Sequence, residues 1–462
     1  MRGSGNDPAP VFCGVVPPYR DKTEMMKKIP LLLVSCLSGL TALQAQNDYT
    51  AAYVDLGRQS GVLYQPVRET PKAGIGIIVM HSHQDYLNFI ANAELAKRGY
   101  TVLATLPDQT ELLENKLLNI KNAVDYLRSR EDINRVLLLG HSGGATVMTA
   151  YEYLAENGRK GLEGKLYRDY SSRIDNLPEA DGILLFDANP GLSTVMLNSL
   201  DPNVTDESTG FQAEGPYSYD NEREYMRGQQ ARYNRLVKSA LERLQLIQAG
   251  KGRFADDEPL VIPGSNSIRF YNKLYSSNTS LLHHTKGVWP LIHADGSVTT
   301  DTVYSVRAPF RPSDRTELLS AAQSMTVRGF LSSFAMTVDD DYEVLPDGFR
   351  GIRFDSNLTS PIGNIEGIRI PSLFMGMTGS YEYLTSEAIY NHSPAKDKTL
   401  VFVEGAGHMF VADKQAEACN QADYGDTVKN MFDYADHWLE ERFCPGGTPP
   451  CKETPIVSIT KP

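Results

Sequence analysis

The sequence predicts an α/β fold in which a mostly parallel sheet is flanked by helices, and three observations support it. Short apolar runs typical of buried strands alternate with amphipathic segments typical of helices before residue 191. One such run leads through a glycine-rich turn directly into a helix. The alternation stops for a long stretch and returns after residue 365. Strands and helices in this rhythm form right-handed crossover units and hence a parallel sheet.

Length and composition limit the classes of protein to be considered. The chain of 462 residues has room for one large domain with an insertion, or for two domains. Its 41% hydrophobic and 22% charged residues are those of an ordinary globular protein. A formal net charge of −12 argues against nucleic acid as a partner. Nothing in the composition indicates an oligomeric state.

The N-terminal region is typical of an export signal. Lys27 and Lys28 precede an apolar run over 29–40, and small residues up to Ala45 offer a cleavage site. This run is too short for a stable membrane span. Residues 1–45 are therefore interpreted as an upstream extension plus a signal peptide, and the mature protein as periplasmic or secreted. Because residues 33–36 also resemble a bacterial lipobox, a lipid anchor on Cys36 is an alternative.

The cysteines that remain after the leader lie close to the C-terminus. They are Cys419, Cys444 and Cys451, and their number predicts one disulfide with one thiol left over. Their spacing does not resemble a metal site. The tail over 444–462 is rich in proline and glycine, which predicts irregular structure.

The first part of the predicted core covers 46–191, and each of its elements has a local signal. An edge hairpin is predicted within 47–70, a buried central strand over 74–80 and another strand over 100–106. Amphipathic spacing predicts helices over 88–98 and 111–130, and Gly99 is suited to end the first of them.

The central motif is Gly140-His141-Ser142-Gly143-Gly144, which follows an apolar strand and precedes a helix. A serine in so tight a turn has a strained backbone, and larger side chains at its glycine positions would collide with neighbouring elements. The turn would hold the Ser142 hydroxyl at the carboxyl edge of the sheet, with the Gly143 amide ready to stabilise an oxyanion. The pattern predicts a nucleophile elbow.

With this motif the chain resembles the α/β-hydrolase superfamily over about 70–190 and 365–442. The family order is nucleophile, acid, then histidine. The resemblance implies that His408, which follows the last predicted strand in Gly405-Ala406-Gly407-His408, is the general base. An imidazole suits this role because its pKa of about 6.5 lets it accept and return a proton near neutrality.

The resemblance also implies a second oxyanion donor in the loop after the strand at 74–80. By position, the backbone amide of Ser82 or His83 would supply it, and His81-Ser82 stands where relatives carry His-Gly. The implied oxyanion hole is thus formed around Gly143, Ser82 and His81. His81 and His83 could instead bind a metal, although no cluster of carboxylates accompanies them in the sequence. No cofactor is implied, since side chains and backbone amides supply every group needed.

The carboxylate that completes the triad stays open between two candidates. In most relatives the acid follows the penultimate strand, a register that falls here on Ser380 and Tyr381, with Glu382 one residue further on. Some relatives carry the acid after the sixth strand, and the apolar run over 182–186, which predicts that strand here, leads into Asp187. The other nearby carboxylates are Glu387, at a helix start, and Glu404, interpreted as structural.

A long insertion over 192–365 separates the two parts of the core. Within it the pattern predicts a helix ending at Gly250, a β-hairpin with its turn at Asp295-Gly296 and helical structure over 316–336. In the superfamily an insertion after the sixth strand forms a cap or lid over the site. The second part of the core, 366–443, is predicted to contain two strands, each followed by a helix.

A serine nucleophile with a histidine base favours acyl transfer through a covalent intermediate. The leading hypothesis is an exported hydrolase that cleaves a small-molecule carboxylic ester. An acyltransferase or an amidase or peptidase would use the same nucleophile, and Arg227, Arg232 and Arg235 could bind the terminus of a peptide. A non-catalytic binding protein on a hydrolase scaffold is the alternative from another class.

Overall fold

The computed structural model describes residues 48–57, 59–207, 216–218, 220–265, 278–309 and 322–444. The predicted signal peptide, Cys36, Cys451 and all of the predicted tail after Cys444 lie outside these residues. Within the described ranges, no helix combines the length and the apolar character that crossing a membrane requires.

A ten-stranded sheet forms the centre of the protein. Its order is β1-β2-β4-β3-β5-β6-β13-β14-β8-β9. The strands of the described chain are β1 Tyr49–Asp55, β2 Ser60–Pro66, β3 Ile75–Val79, β4 Thr101–Thr105, β5 Arg135–Ser142, β6 Gly182–Ala188, β7 Pro259–Pro263, β8 His284–Ile292, β9 Val298–Tyr304, β10 Ala322–Thr326, β11 Thr337–Leu345, β12 Gly348–Arg353, β13 Ser372–Met377 and β14 Lys398–Val403.

Pairing in the sheet is mostly parallel. Strands β4, β3, β5, β6, β13 and β14 pair in parallel from one neighbour to the next. The β1–β2 hairpin lies at one edge and is antiparallel to β4, as the sequence predicts for an edge hairpin. This strand order, together with the strand–turn–helix at the end of β5, is that of the α/β-hydrolase fold. Because parallel strands end at the same edge, residues after β3, β5, β6 and β14 meet there.

Two hydrophobic clusters cover the two faces of the sheet. In β5, Val136 and Leu138 point to one cluster while Leu137 and Leu139 point to the other, and all four are fully buried. The helices that pack around the sheet or belong to the insertion are α1 Ile90–Lys97, α2 Leu113–Arg128, α3 Gly144–Asn157, α4 Leu192–Leu197, α5 Glu222–Gln248, α6 Val327–Ser333, α7 Pro361–Asn364, α8 Leu384–His392, α9 Lys414–Asn420 and α10 Thr427–Phe443.

The insertion between β6 and β13 departs from the predicted cap in two ways. The predicted hairpin is present as β8–β9, but β8 pairs with β14, so the hairpin extends the main sheet and is not part of a separate cap. The predicted helical stretch over 316–336 contains strand β10, which pairs with β7 over Ala322–Thr326. Both differences arise from pairing between strands far apart in sequence, which local periodicity does not show.

The loop that carries His408 depends on Gly405. Gly405 has φ +69°, and a Cβ there would overlap the ring of Tyr424. We expect Gly405→Ala to lower the free energy of unfolding by about 2–5 kcal/mol, because it adds both backbone strain and a steric clash. Urea-induced unfolding measures the change.

Gly407→Ala is the matched control for this variant. Its Cβ would have its nearest neighbour at 3.5 Å, an ordinary contact, and the residue has no left-handed φ. We expect a change within about 1 kcal/mol. Equal effects of the two variants would contradict this explanation of the loop.

Candidate active site

The predicted strand, tight turn and helix around Ser142 are present. Ser142 ends β5 with φ 53°, an unusual value for a residue other than glycine. A Cβ on Gly140 would lie 2.6 Å from Ala145 Cα, and a Cβ on Gly144 would lie 2.6 Å from the carbonyl oxygen of Met80. The turn can therefore accept only glycine at these positions, and Ser142 is held in a strained conformation at the edge of the sheet.

Asp187 and His408 form a hydrogen-bonded pair at the same edge. The distance from His408 Nδ1 to Asp187 Oδ2 is 2.6 Å. The Asp187 side chain is fully buried, and its second oxygen accepts a hydrogen bond from the Met377 amide at 3.2 Å. With Nδ1–H donated to the carboxylate, Nε2 of the neutral His408 ring is left as the basic nitrogen. His408 keeps 18% of its side chain exposed, so this ring can meet a ligand.

Two contacts, one of the Ser142 backbone and one of the adjacent His141, place Ser142 beside this pair. The Asn189 amide, just after β6, donates to the Ser142 carbonyl at 3.3 Å. His141 packs on His408 with 4.6 Å between ring centroids. Ser142, Asp187 and His408 therefore converge where β5, β6 and β14 end.

The other carboxylates considered for the triad have different surroundings. Glu382 is buried, and its amide donates to Ser380 Oγ at 3.1 Å. Glu387 accepts hydrogen bonds from the Lys286 and Gly287 amides and from the Trp289 indole, which anchors it to β8. Glu404 contacts His293 Nδ1 at 2.7 Å. Asp187 is the carboxylate that holds Nδ1 of His408.

His141 is a site residue that the sequence analysis did not single out. Its Nε2–H donates to the His408 carbonyl at 2.7 Å, and its Nδ1 accepts from the Tyr86 hydroxyl at 2.7 Å. Burial and the neighbouring His408 ring hold the pKa of His141 well below its usual range. The ring is therefore neutral, and its hydrogen bond holds the backbone of His408 in place. The only signal in the sequence is the histidine itself, directly before the nucleophile.

The loop after β3 lies against Gly143, as predicted. A Cβ on Gly143 would overlap Ser82 Oγ and lie 3.4 Å from His81 Nε2, so Ser82, His81 and Gly143 are brought together. One part of the prediction needs correction. The His83 amide donates to His81 Nδ1 at 3.0 Å, so it is not a free donor for an oxyanion.

A polar network holds this loop in place. His83 contacts Ser82 Oγ through Nδ1 and Glu111 Oε2 through Nε2, both at 2.8 Å. Lys116 Nζ donates to the Ser82 carbonyl at 2.7 Å and lies 3.3 Å from Glu111. Burial alone would raise the pKa of Glu111, but the hydrogen bond from His83 and the charge of Lys116 lower it to about 2. Glu111 is therefore ionised at neutral pH and tethers the loop to the start of α2.

Two residues of this network lie in a segment for which the sequence predicts only a helix. Glu111 and Lys116 carry no motif that indicates a role beside Ser142. Phe334 of the insertion stacks on the His83 ring with 6.0 Å between centroids.

Among the described residues, no group of three or more histidine, cysteine or acidic side chains could hold a metal ion.

Comparisons with known proteins give only remote similarity. Neither a protein-family model nor a curated protein matches the chain. Similar solved structures include a hypothetical protein from Pseudomonas aeruginosa, at 11% identity, covering 90% of this chain and 100% of that chain with a TM-score of 0.39. Esterase B from Lactobacillus rhamnosis is 10% identical, with 85% and 88% covered and a TM-score of 0.37.

A third similar structure is brefeldin A esterase, described as a bacterial homologue of human hormone-sensitive lipase. It is 11% identical, with 88% of this chain and 81% of that chain covered and a TM-score of 0.38. Likeness at this level says nothing about activity. The fold follows from the strand order and from the turn at Ser142.

Replacement of the buried Asp187 tests its pairing with His408 directly. We expect Asp187→Asn to slow modification of Ser142 by a fluorophosphonate probe about 10³–10⁴-fold, because an amide no longer fixes the tautomer of His408. Gel fluorescence and intact mass follow the reaction. Glu382→Gln, an isosteric change at the other candidate, should react within about twofold of the parent. The reverse ranking would contradict the assignment of Asp187.

Proposed function

We propose that this protein is an exported serine hydrolase that cleaves carboxylic esters through an acyl-enzyme on Ser142. The hydrogen bond between His408 and the buried Asp187, beside a serine in a strained turn, is the observation that supports this most strongly. A general base oriented by a carboxylate is what a serine hydroxyl needs to act as a nucleophile near neutral pH.

Two steps of acyl transfer follow from these roles. Ser142 Oγ attacks the ester carbonyl while His408 Nε2 takes its proton, which gives a tetrahedral oxyanion beside the Gly143 amide. Collapse of this intermediate breaks the bond to the alcohol, which leaves with the proton from His408. Water then attacks the acyl-Ser142 ester with His408 again as base. The carboxylic acid is released, and Ser142 regains its proton.

Two of the three arginines that could bind a peptide terminus have other partners. Arg232 is fully buried, its guanidinium pairs with Glu207 and it donates to the carbonyl of Asp201. Arg227 pairs with Glu224 one turn away on α5. Arg235 is exposed on the same helix. The partners of Arg232 and Arg227 are therefore structural, and these two arginines do not support the binding of a peptide terminus.

Export is part of the proposal and has two supports. The segment up to Ala45 has the charge, apolar run and small residues of a signal peptide, with a lipid anchor on Cys36 as the alternative. Cys419 is disulfide-bonded, and disulfides persist in oxidising compartments.

Loss of the nucleophile should abolish turnover. We expect Ser142→Ala to lower kcat for 4-nitrophenyl butyrate by at least about 10⁴-fold, because the covalent route is lost. Initial rates of 4-nitrophenol release measure this. Ser129→Ala, at an exposed position after α2, is the control and should match the parent.

Full activity in Ser142→Ala on every ester that the parent cleaves would rule out the proposal. Absence of any turnover by the parent would favour a binding protein. Repeating the assay with an added alcohol, followed by analysis of products, separates hydrolysis from acyl transfer to the alcohol.

A further inference from the structure

The ring of His81 is fixed in one tautomer by its own loop. Its Nδ1 accepts hydrogen bonds from the His83 amide at 3.0 Å and from the Gln84 amide at 2.9 Å. Both partners are donors, so Nδ1 carries no proton. The proton of the neutral ring is therefore on Nε2.

This Nε2–H lies close to Gly143, the residue whose amide is the expected oxyanion donor. Nε2 is 3.4 Å from the position that a Cβ on Gly143 would take. The ring is 8% exposed and packs on Tyr86 with 4.7 Å between centroids, so its orientation is fixed. Among the described residues, no group accepts a hydrogen bond from this nitrogen.

The ring also stays neutral. Burial, followed by the neighbouring His83, His408 and Lys116, holds the pKa of His81 well below its usual range. A neutral imidazole can donate a hydrogen bond to developing negative charge without transferring its proton to it.

One of the two backbone donors expected at this position, the His83 amide, is itself bonded to the ring. Because the His83 amide donates to Nδ1, the imidazole stands between this amide and Gly143. We propose that the Nε2–H of His81 is a catalytic oxyanion donor that acts beside the Gly143 amide. Hydrogen bonds in a chain polarise one another, so the two loop amides at Nδ1 strengthen the donor at Nε2. This inference rests on the proposed function of Ser142.

The variant His81→Asn distinguishes the acceptor role of Nδ1 from the donor role of Nε2. An asparagine oxygen can accept from the amide two residues further on, which preserves the loop, whereas the shorter side chain does not place its amide N–H groups at the position of Nε2. We expect the rate of Ser142 phosphonylation by a fluorophosphonate to fall about 10²–10³-fold, and kcat for the ester to fall similarly with little change in KM. His437→Asn, a half-exposed histidine on α10, is the control and should react at the parent rate.

The outcomes separate this inference from the proposed function. A folded His81→Asn variant that reacts as fast as the parent overturns the role of His81 and leaves Ser142 as the nucleophile. A parent that is not phosphonylated at all overturns the proposed function, and the role of His81 with it.

A structure of the phosphonylated parent tests the inference even if the variant does not fold. We expect the phosphoryl oxygen about 2.7–3.1 Å from His81 Nε2. An oxygen held by backbone amides alone, with Nε2 beyond hydrogen-bond distance, would overturn the proposal.

Discussion

The site depends on one interaction, the hydrogen bond from His408 to the buried carboxylate of Asp187. A carboxylate with no exposed surface is costly unless its oxygens are satisfied, and here His408 and the Met377 amide satisfy them. Asp187 is the next-to-last residue of β6 and His408 follows β14, with β13 between these strands in the sheet. The order of strands therefore determines that acid and base meet, and the elbow after β5 brings Ser142 to the same edge.

Three histidines take different roles because their partners fix different nitrogens. His408 donates through Nδ1 and keeps a basic Nε2, whereas His141 and His81 both carry their proton on Nε2. The Nε2–H of His141 donates a hydrogen bond to the His408 carbonyl, and that of His81 lies toward Gly143. Burial keeps the latter two rings neutral, so in the proposed mechanism the site combines one base with a neutral support and a neutral donor.

The sequence predicted those parts of the fold and site that have local signals. The parallel core, the turn at Ser142 and the loop position of His408 follow from apolar runs and glycine spacing. The choice between Asp187 and Glu382 stayed open because both lie near the ends of strands, and the hydrogen bond from His408 to Asp187 distinguishes them only in the folded chain. The addition of β8–β9 to the sheet and the network of Glu111 and Lys116 join residues far apart in the chain, which local patterns do not reveal.

Formation of an acyl-enzyme on Ser142 can be followed by rapid mixing of the protein with 4-nitrophenyl acetate. We expect a burst of about one 4-nitrophenol per protein molecule, with an acetyl group on the peptide that contains Ser142 after acid quenching. Turnover without a burst and without acetylation, or an acetyl group on another residue, would contradict it.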